Sequence, residues 1–335
     1  MNRRPALVAA LVATLTLGLA ACSSDSPSQS PTTAGADATT APADDGDTAP
    51  QAVTIGALTI SETAPLWAAV EAGIFTEHGL DVTVQPIQGG AQAMPALING
   101  DIDFSIGQPF GAMRASLQGL DVKIIANYAQ SLTEGDDINS VVVGAGSAIT
   151  SPADLAGKKV SVNSIGAAGD LTIRAAVEAD GGDPSSIEFV EVAFPDAQAQ
   201  LDAGNIDAAW VPEPFVSIIV GAGGARVVDP YQATLPGLPT LVVQTTGKTV
   251  TDDPELVDAV RDALTEAFAW AAENDDAVRQ SLVDEMKLPE PAAANLRFPT
   301  FSTELDVDVL QGLSDLAVQY EYFDKAPDLD TLIVE

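Results

Sequence analysis

Cysteine and histidine are almost missing from this chain of 335 residues: Cys22 and His78 are the only ones. A single thiol excludes any disulfide within the chain. One histidine and one cysteine also exclude a His/Cys metal cluster, so only carboxylates could make a metal site. Neither a Ser-His-Asp order nor a glycine-rich nucleotide loop appears, and no cofactor and no catalytic residue is expected. Basic residues are scarce as well, 14 Lys and Arg against 48 Asp and Glu, for a formal charge of −34. Such a surface repels phosphate backbones and anionic headgroups, which argues against nucleic acid as a partner. The apolar run over residues 6–21 is too short, with the wrong flanks, to span a membrane well.

That run has another use. Arg3 and Arg4 precede it, the order of charge, apolar stretch and small residues found in bacterial secretory signals, so residues 1–21 read as a signal peptide. The Arg pair hints at twin-arginine export, although Pro5-Ala6-Leu7 fits that pattern poorly. Leu19-Ala20-Ala21-Cys22-Ser23-Ser24 resembles the lipobox of bacterial lipoproteins, in which the signal is cut before the cysteine and the thiol is lipidated. Cys22 is therefore the expected lipidation site. Residues 22–52 follow, rich in Ser, Thr, Ala, Pro and Asp, with no apolar residue larger than Ala before Val53. Such a composition cannot bury enough surface to order itself and reads as a tether. The folded body is expected outside the cell, against the outer face of the membrane, held by its lipid anchor alone.

The remainder is 46% hydrophobic over the whole chain, ample for a core, and long enough for two domains. It says one thing twice. Leu97-Ile98-Asn99-Gly100-Asp101-Ile102-Asp103-Phe104 continues to Gln108-Pro109-Phe110, and Leu201-Asp202-Ala203-Gly204-Asn205-Ile206-Asp207-Ala208 continues to Glu213-Pro214-Phe215. Each copy has a helix-like approach, a Gly stop, an Ile-Asp pair opening an apolar run, and a Pro-Phe turn. Two lobes facing a shared cleft would each contain one copy, although helix-Gly-strand punctuation also recurs by chance in α/β chains.

Strands and helices alternate through the body, which implies largely parallel sheets covered on both faces. The expected division is residues 53–140 for the first part of lobe 1, 141–239 for lobe 2, and 240–335 for the return to lobe 1 and the C-terminal helices. Ser140-Val141-Val142-Val143-Gly144 is expected to carry the chain across, and the strand from Leu238 to Gln244 to bring it back. Ligands of open α/β sheets bind beyond the carboxyl ends of the strands. Here those ends supply Ser61, Glu62, Gly90, Gln92, Gln108 and Pro109 from one lobe, and Asn163, Ser164, Gly166 and Glu213 from the other. Gly89-Gly90-Ala91-Gln92 could offer helix-start amides to an anion or polar head, or be a plain turn. Trp67 and Trp210 could stack a ligand ring, or be core. Glu213 could meet a ligand amine, or contact a transporter. Arg174 reads as a solvated helix charge and His78 as an exposed turn residue.

Pro65-Leu66-Trp67-Ala68-Ala69, Glu71-Ala72-Gly73-Ile74-Phe75 and Gly79-Leu80-Asp81-Val82 resemble the substrate-binding proteins of ABC importers for sulfonates, taurine, nitrate and thiamine-precursor pyrimidines. Asp154-Leu155-Ala156-Gly157-Lys158-Lys159-Val160 and Trp210-Val211-Pro212-Glu213-Pro214-Phe215 match the second lobe of that family, and Ala326-Pro327-Asp328 its C-terminal segment. The resemblance implies an α/β, type II periplasmic-binding-protein fold: two α/β lobes, two crossing strands and a small-molecule ligand closed between them. It also implies a monomer that docks on an ABC permease and its ATPase. Relatives on this scaffold include enzymes of pyrimidine and menaquinone synthesis, so an enzyme is the competing class, and a transporter-free sensor or adhesin a third. Glu62, Asp170, Asp196 and Glu213 fall in the cleft loops while no Lys or Arg does. That balance favours a neutral or amine-bearing ligand, such as an aminopyrimidine, over an alkylsulfonate, taurine or nitrate.

Overall fold

The structure, a computed structural model, describes residues 49–334. The signal peptide, Cys22 and most of the tether lie outside the described residues. Thr48–Glu335 forms a compact unit by itself, built on two sheets. Eleven strands are assigned: β1 (Gln51–Leu58), β2 (Leu80–Ile87), β3 (Phe104–Gly107), β4 (Val122–Gln130), β5 (Asn139–Val143), β6 (Lys159–Val162), β7 (Glu188–Glu191), β8 (Ala208–Pro212), β9 (Ala225–Val228), β10 (Pro239–Thr246) and β11 (Thr300–Phe301). The first sheet runs β11-β4-β10-β3-β1-β2 and the second β7-β6-β8-β5-β9.

The two sheets share a plan. In the first, β1 is flanked by β2 and β3, both parallel to it, and β10 lies antiparallel beyond β3. In the second, β6 is flanked by β7 and β8, both parallel, and β5 lies antiparallel beyond β8. Each antiparallel strand is one the chain uses next to a crossing. β5 is thus a strand inside the second sheet, and the outward crossing is the segment 131–138 before it. The return crossing is 229–238, and β10 belongs wholly to the first sheet. Ser131 N donates to Leu238 O at 2.9 Å and Gln232 Nε2 to Leu132 O at 2.8 Å, so the two crossings are bonded side by side.

The sequence repeat is the staple of this plan. Gly100 (φ +76°) and Gly204 (φ +67°) both turn left-handed after a helix, where a Cβ would be strained. Asp101 N then reaches Ala96 O at 2.8 Å, and Asn205 N reaches Gln200 O at 3.0 Å, closing each helix end. Ile102 and Ile206 drop into the core. The aspartates that follow tie each strand to its parallel neighbour. Asp103 N donates to Thr54 O at 2.9 Å while Asp103 Oδ2 accepts from Thr54 N at 2.8 Å. Asp207 does the same with Lys159, both bonds being 2.8 Å.

The helices that matter below are α1 (Ala64–Glu71), α2 (Gly90–Asn99), α3 (Pro109–Leu117), α4 (Ala168–Ala179), α5 (Phe215–Gly221), α6 (Pro254–Glu273), α7 (Asp275–Met286) and α8 (Val307–Gln319). Pro254 sits in the first turn of α6 behind Asp253, whose carboxylate accepts from Leu256 N at 3.1 Å, as a first-turn proline behind an acidic cap should. A small apolar cluster joins α1, α6 and α7 on the first lobe. The tail does not simply return there. α8 packs on α4 of the second lobe, and only afterwards does the chain come back, with Val334 N donating to Ile124 O at 2.9 Å.

Candidate ligand site between the lobes

The carboxyl ends of β1, β3, β6 and β8 face one another, and the two lobes touch there. Ser61, in the turn after β1, donates its amide and its hydroxyl to the carbonyl of Glu213, at 3.2 and 3.0 Å. Arg114 on α3 donates through Nη2 to the carbonyl of Gly166 on the opposite lobe. Gly166 has φ +75°, and a Cβ on it would come within 3.1 Å of the Arg114 guanidinium. A side chain here would be strained and would push the clasp apart.

Between these contacts lies a cavity of about 230 Å³. Its first-lobe wall includes Leu58, Gly90, Met94, Gln108, Phe110 and Arg114; Asn163, Ser164 and Gly166 close it from the second lobe. Among the described residues, Arg114 is the only charged one lining it. The α2 amides of Gly90 and Ala91 precede the first intrahelical bonds, which Gln92 and Ala93 make to Gly89 O, each at 3.0 Å. They add the positive end of a helix to the same wall. Two further buried atoms on the wall have no hydrogen-bond partner, Ser105 Oγ and Gln244 Oε1. Gln244 is held rigid by its other end, Nε2 donating to the carbonyls of Gly107 and Gln108 at 3.1 and 3.0 Å.

Leu58 and Gln108 also border a second, deeper space of about 10 Å³, enough for a single water. Glu62, Asn139, Trp210 and Tyr231 surround it, and Trp210 Nε1 is buried there without a partner. Gln108 Nε2 donates to Tyr231 Oη at 3.0 Å. Glu62 is 2% exposed and accepts from Thr240 Oγ1 at 2.7 Å. Burial pushes its carboxyl up to about 7, against the Thr240 hydrogen bond and with a smaller push from Asp137. Near pH 7 this carboxyl is thus divided between its charged and uncharged forms.

The structure gathers Gly90, Gln108, Asn163, Ser164 and Gly166 on the cavity and Glu62 and Trp210 on the deeper space. Other expected residues have other jobs. Glu213 is buried, but its carboxylate turns back to accept from Ser217 N at 3.0 Å and Ser217 Oγ at 2.9 Å, capping α5. Only its main-chain carbonyl bridges the lobes. Gln92 folds onto its own turn, Oε1 accepting from Gln88 N at 2.9 Å. Pro109 is the first residue of α3 and buried, lining neither space. Trp67 is on the α1 face toward α7, bordering a groove with Ser281 and Asp284 rather than the cleft. His78 is half-buried and pairs with Glu266 at 2.8 Å.

The charge balance expected of the cleft is overturned. Asp196 is exposed, and Asp170 and Glu213 spend their oxygens on nearby N–H and O–H donors. The cavity instead holds a cation, Arg114, that no strand-end loop contains. Arg114 stands four residues after Phe110, on the same face of α3, with its guanidinium 5.3 Å from the Phe110 ring centre. A helix starting at Pro109 with Phe and Arg one turn apart was the available signal.

The sequence profile of the family described as NMT1/THI5 like matches residues 60–278. The chain belongs to that family. It is 24% identical to the formylaminopyrimidine-binding protein of Halalkalibacterium halodurans over 67% of this chain and 68% of that protein. It is 28% identical to the taurine-binding periplasmic protein of Escherichia coli, over 57% of this chain and 58% of the other. The alkanesulfonate-binding protein SsuA of Xanthomonas axonopodis, solved with bound MOPS, superposes with a TM-score of 0.71 at 17% identity, covering 85% of this chain and 98% of that one. That last likeness is one of fold, the two-lobed α/β architecture of periplasmic binding proteins.

Among the described residues, no helix is long and apolar enough to cross a membrane, and no group of three His, Cys, Asp or Glu could hold a metal ion.

Proposed function

We propose that this protein is the solute-binding component of an ABC importer, tethered outside the membrane through a lipid on Cys22, and that its solute carries an anionic or strongly accepting group against Arg114. The observation that carries the reading is the interlobe cavity whose only charged lining residue, among the described residues, is Arg114, beside the open amides at the start of α2. A preorganised cation and helix N-terminus in a desolvated wall suit a sulfonate-like head on a small, largely apolar body. Closing the lobes brings Arg114 to Gly166 and Ser61 to Glu213. A solute that touches both walls favours the closed state by that differential contact, and the closed monomer would be what a permease and its ATPase recognise.

A second reading keeps a specific observation in its favour. The deeper space offers an acid that burial pushes up to about 7, together with the unpartnered N–H donor of Trp210. The space itself holds no more than a water, so a neutral aminopyrimidine would sit in the adjoining cavity beside Leu58 and Gln108, with these groups behind it, and one relative is named for such a ligand.

The test is the melting temperature of the Thr48–Glu335 unit against taurine, ethanesulfonate, nitrate and formylaminopyrimidine. A bound solute at a hundredfold over its dissociation constant adds about 2.7 kcal/mol, a shift of a few degrees. A shift with the sulfonates alone supports the Arg114 seat. A shift with the pyrimidine alone moves the ligand to Glu62. Consumption of any solute during incubation would replace binding by catalysis on the same scaffold.

A further inference from the structure

We propose that Tyr322, supplied by the segment after α8, is a positioning residue of the ligand cavity, acting through Asp170 on the loop that holds Gly166 and Ala167. This rests on the reading of that cavity as the ligand site. Asp170 lies in the first turn of α4 and is buried. Its Oδ2 accepts from Gly166 N at 2.9 Å and from Tyr322 Oη at 2.7 Å, and its Oδ1 accepts from Ala167 N at 2.8 Å. Gly166 and Ala167 both line the cavity, and the Gly166 carbonyl receives Arg114.

The direction of the Tyr322 proton is fixed by a second contact. Arg174 Nε donates to Tyr322 Oη at 3.0 Å, so the phenol accepts from Arg174 and gives its own proton to Asp170. Arg174 is therefore neither a free surface charge nor an anion clamp; it also donates to Pro184 O at 2.5 Å and lies 4.8 Å from the Phe189 ring centre.

The first lobe touches the same tyrosine. The Phe110 ring meets Tyr322 edge-on at 6.1 Å and stacks on Phe323 at 4.5 Å. A circuit results: Phe110 to Tyr322, to Asp170, to Gly166, to Arg114, and back to the Phe110 ring. It passes through both walls of the cavity and through a segment remote from both in sequence. The hydroxyl of Tyr322 is the atom by which that segment bonds Asp170.

Tyr322→Phe keeps the ring against Phe110 and removes only the hydroxyl. In the solute-free Thr48–Glu335 unit, amide hydrogen exchange at Gly166 and Ala167 should then quicken by about tenfold, the scale of one lost hydrogen bond. Exchange later in α4, around Ala176 and Val177, should stay as it is. With Asp170→Asn already in place, adding Tyr322→Phe should change the two loop amides less than about twofold, because the connection is already cut. Equal quickening along all of α4, independent effects in the two backgrounds, or no change at Gly166 and Ala167 would each overturn the proposal. The measurement needs no solute, so its failure is separate from failure of the solute panel.

Discussion

Ser61 in the first lobe gives both of its donors, amide and hydroxyl, to one acceptor in the second, the carbonyl of Glu213. The carbonyl is fixed because the Glu213 side chain caps the next helix and Glu213 N donates to Ile138 O at 2.9 Å, at the end of the outward crossing. Ser61→Ala removes one of the two bonds and leaves no acceptor orphaned. The bond is worth about 1 kcal/mol, so the open population should rise roughly fivefold while the fold keeps its melting temperature within a few degrees. Small-angle scattering and interlobe fluorescence transfer would read the change. An unaltered open fraction would mean the pair follows closure without favouring it.

Arg114 carries the argument for an anionic group. Arg114→Ala should weaken ethanesulfonate binding by about tenfold to a hundredfold, the scale of a charge-assisted hydrogen bond lost in a desolvated wall. Arg114→Lys should restore little of it, since an ammonium lacks the planar fork that spans the Phe110 ring and the Gly166 carbonyl. Titration calorimetry on the three proteins would decide. Equal affinity in all of them would remove Arg114 from the site.

The sequence was most legible where structure is local. The Gly stop, the Ile-Asp pair and the strand that follows are contiguous, so both copies of the repeat could be read before any contact was known. The site was legible only as strand ends. Whether a carboxylate at such an end faces a ligand depends on competing donors. Glu213 finds Ser217 one turn on, and Asp170 finds two amides and a phenol. Ser217 and the two amides lie within four residues, whereas the phenol is 152 residues away. Arg114 escaped notice because it starts inside a helix and reaches the cleft by its length. Trp67 neighbours Leu66 in sequence, but one step around α1 turns it from the first-lobe core to the α7 groove.

Glu62 makes stability depend on pH in an unusual direction. Its carboxyl titrates at 4.5 when unperturbed and at about 7 in the fold. The native state therefore holds a proton that the unfolded chain has released between those two values. Stability contributed by the protonated acid is present below pH 4.5 and is lost as pH rises to 7 and beyond. The gap corresponds to about 3 kcal/mol. Glu62→Gln keeps an acceptor for Thr240 and cannot ionise. It should melt higher than the parent at pH 8, with the two curves converging near pH 4.5. Asp137, raised by burial to about 6, is charged in both proteins at pH 8, and Glu62→Gln also removes its repulsion of the Glu62 carboxylate, which adds to the gain. A variant less stable than the parent at pH 8 would show that the buried carboxylate is better accommodated than its surroundings indicate.

Asp103 and Asp207 occupy matching positions in the two copies of the repeat, each holding the first turn of a parallel strand pair by a side-chain and a main-chain bond. Both are exposed, so neither contributes through burial, and what each supplies is an acceptor for one main-chain amide of the neighbouring strand. Replacing either by Ala should cost about 1 kcal/mol. The residues sit in different lobes and share no partner, so the double variant should lose the sum of the two. Because neither lines the cavity or the deeper space, solute affinity measured on the same variants should stay within about twofold of the parent. Chemical denaturation of the two single variants and the double variant would test the equivalence. Unequal losses would mean the repeat is shared in shape but not in energy, and a loss of affinity would mean that the strand ends near the cleft move when their far ends are released.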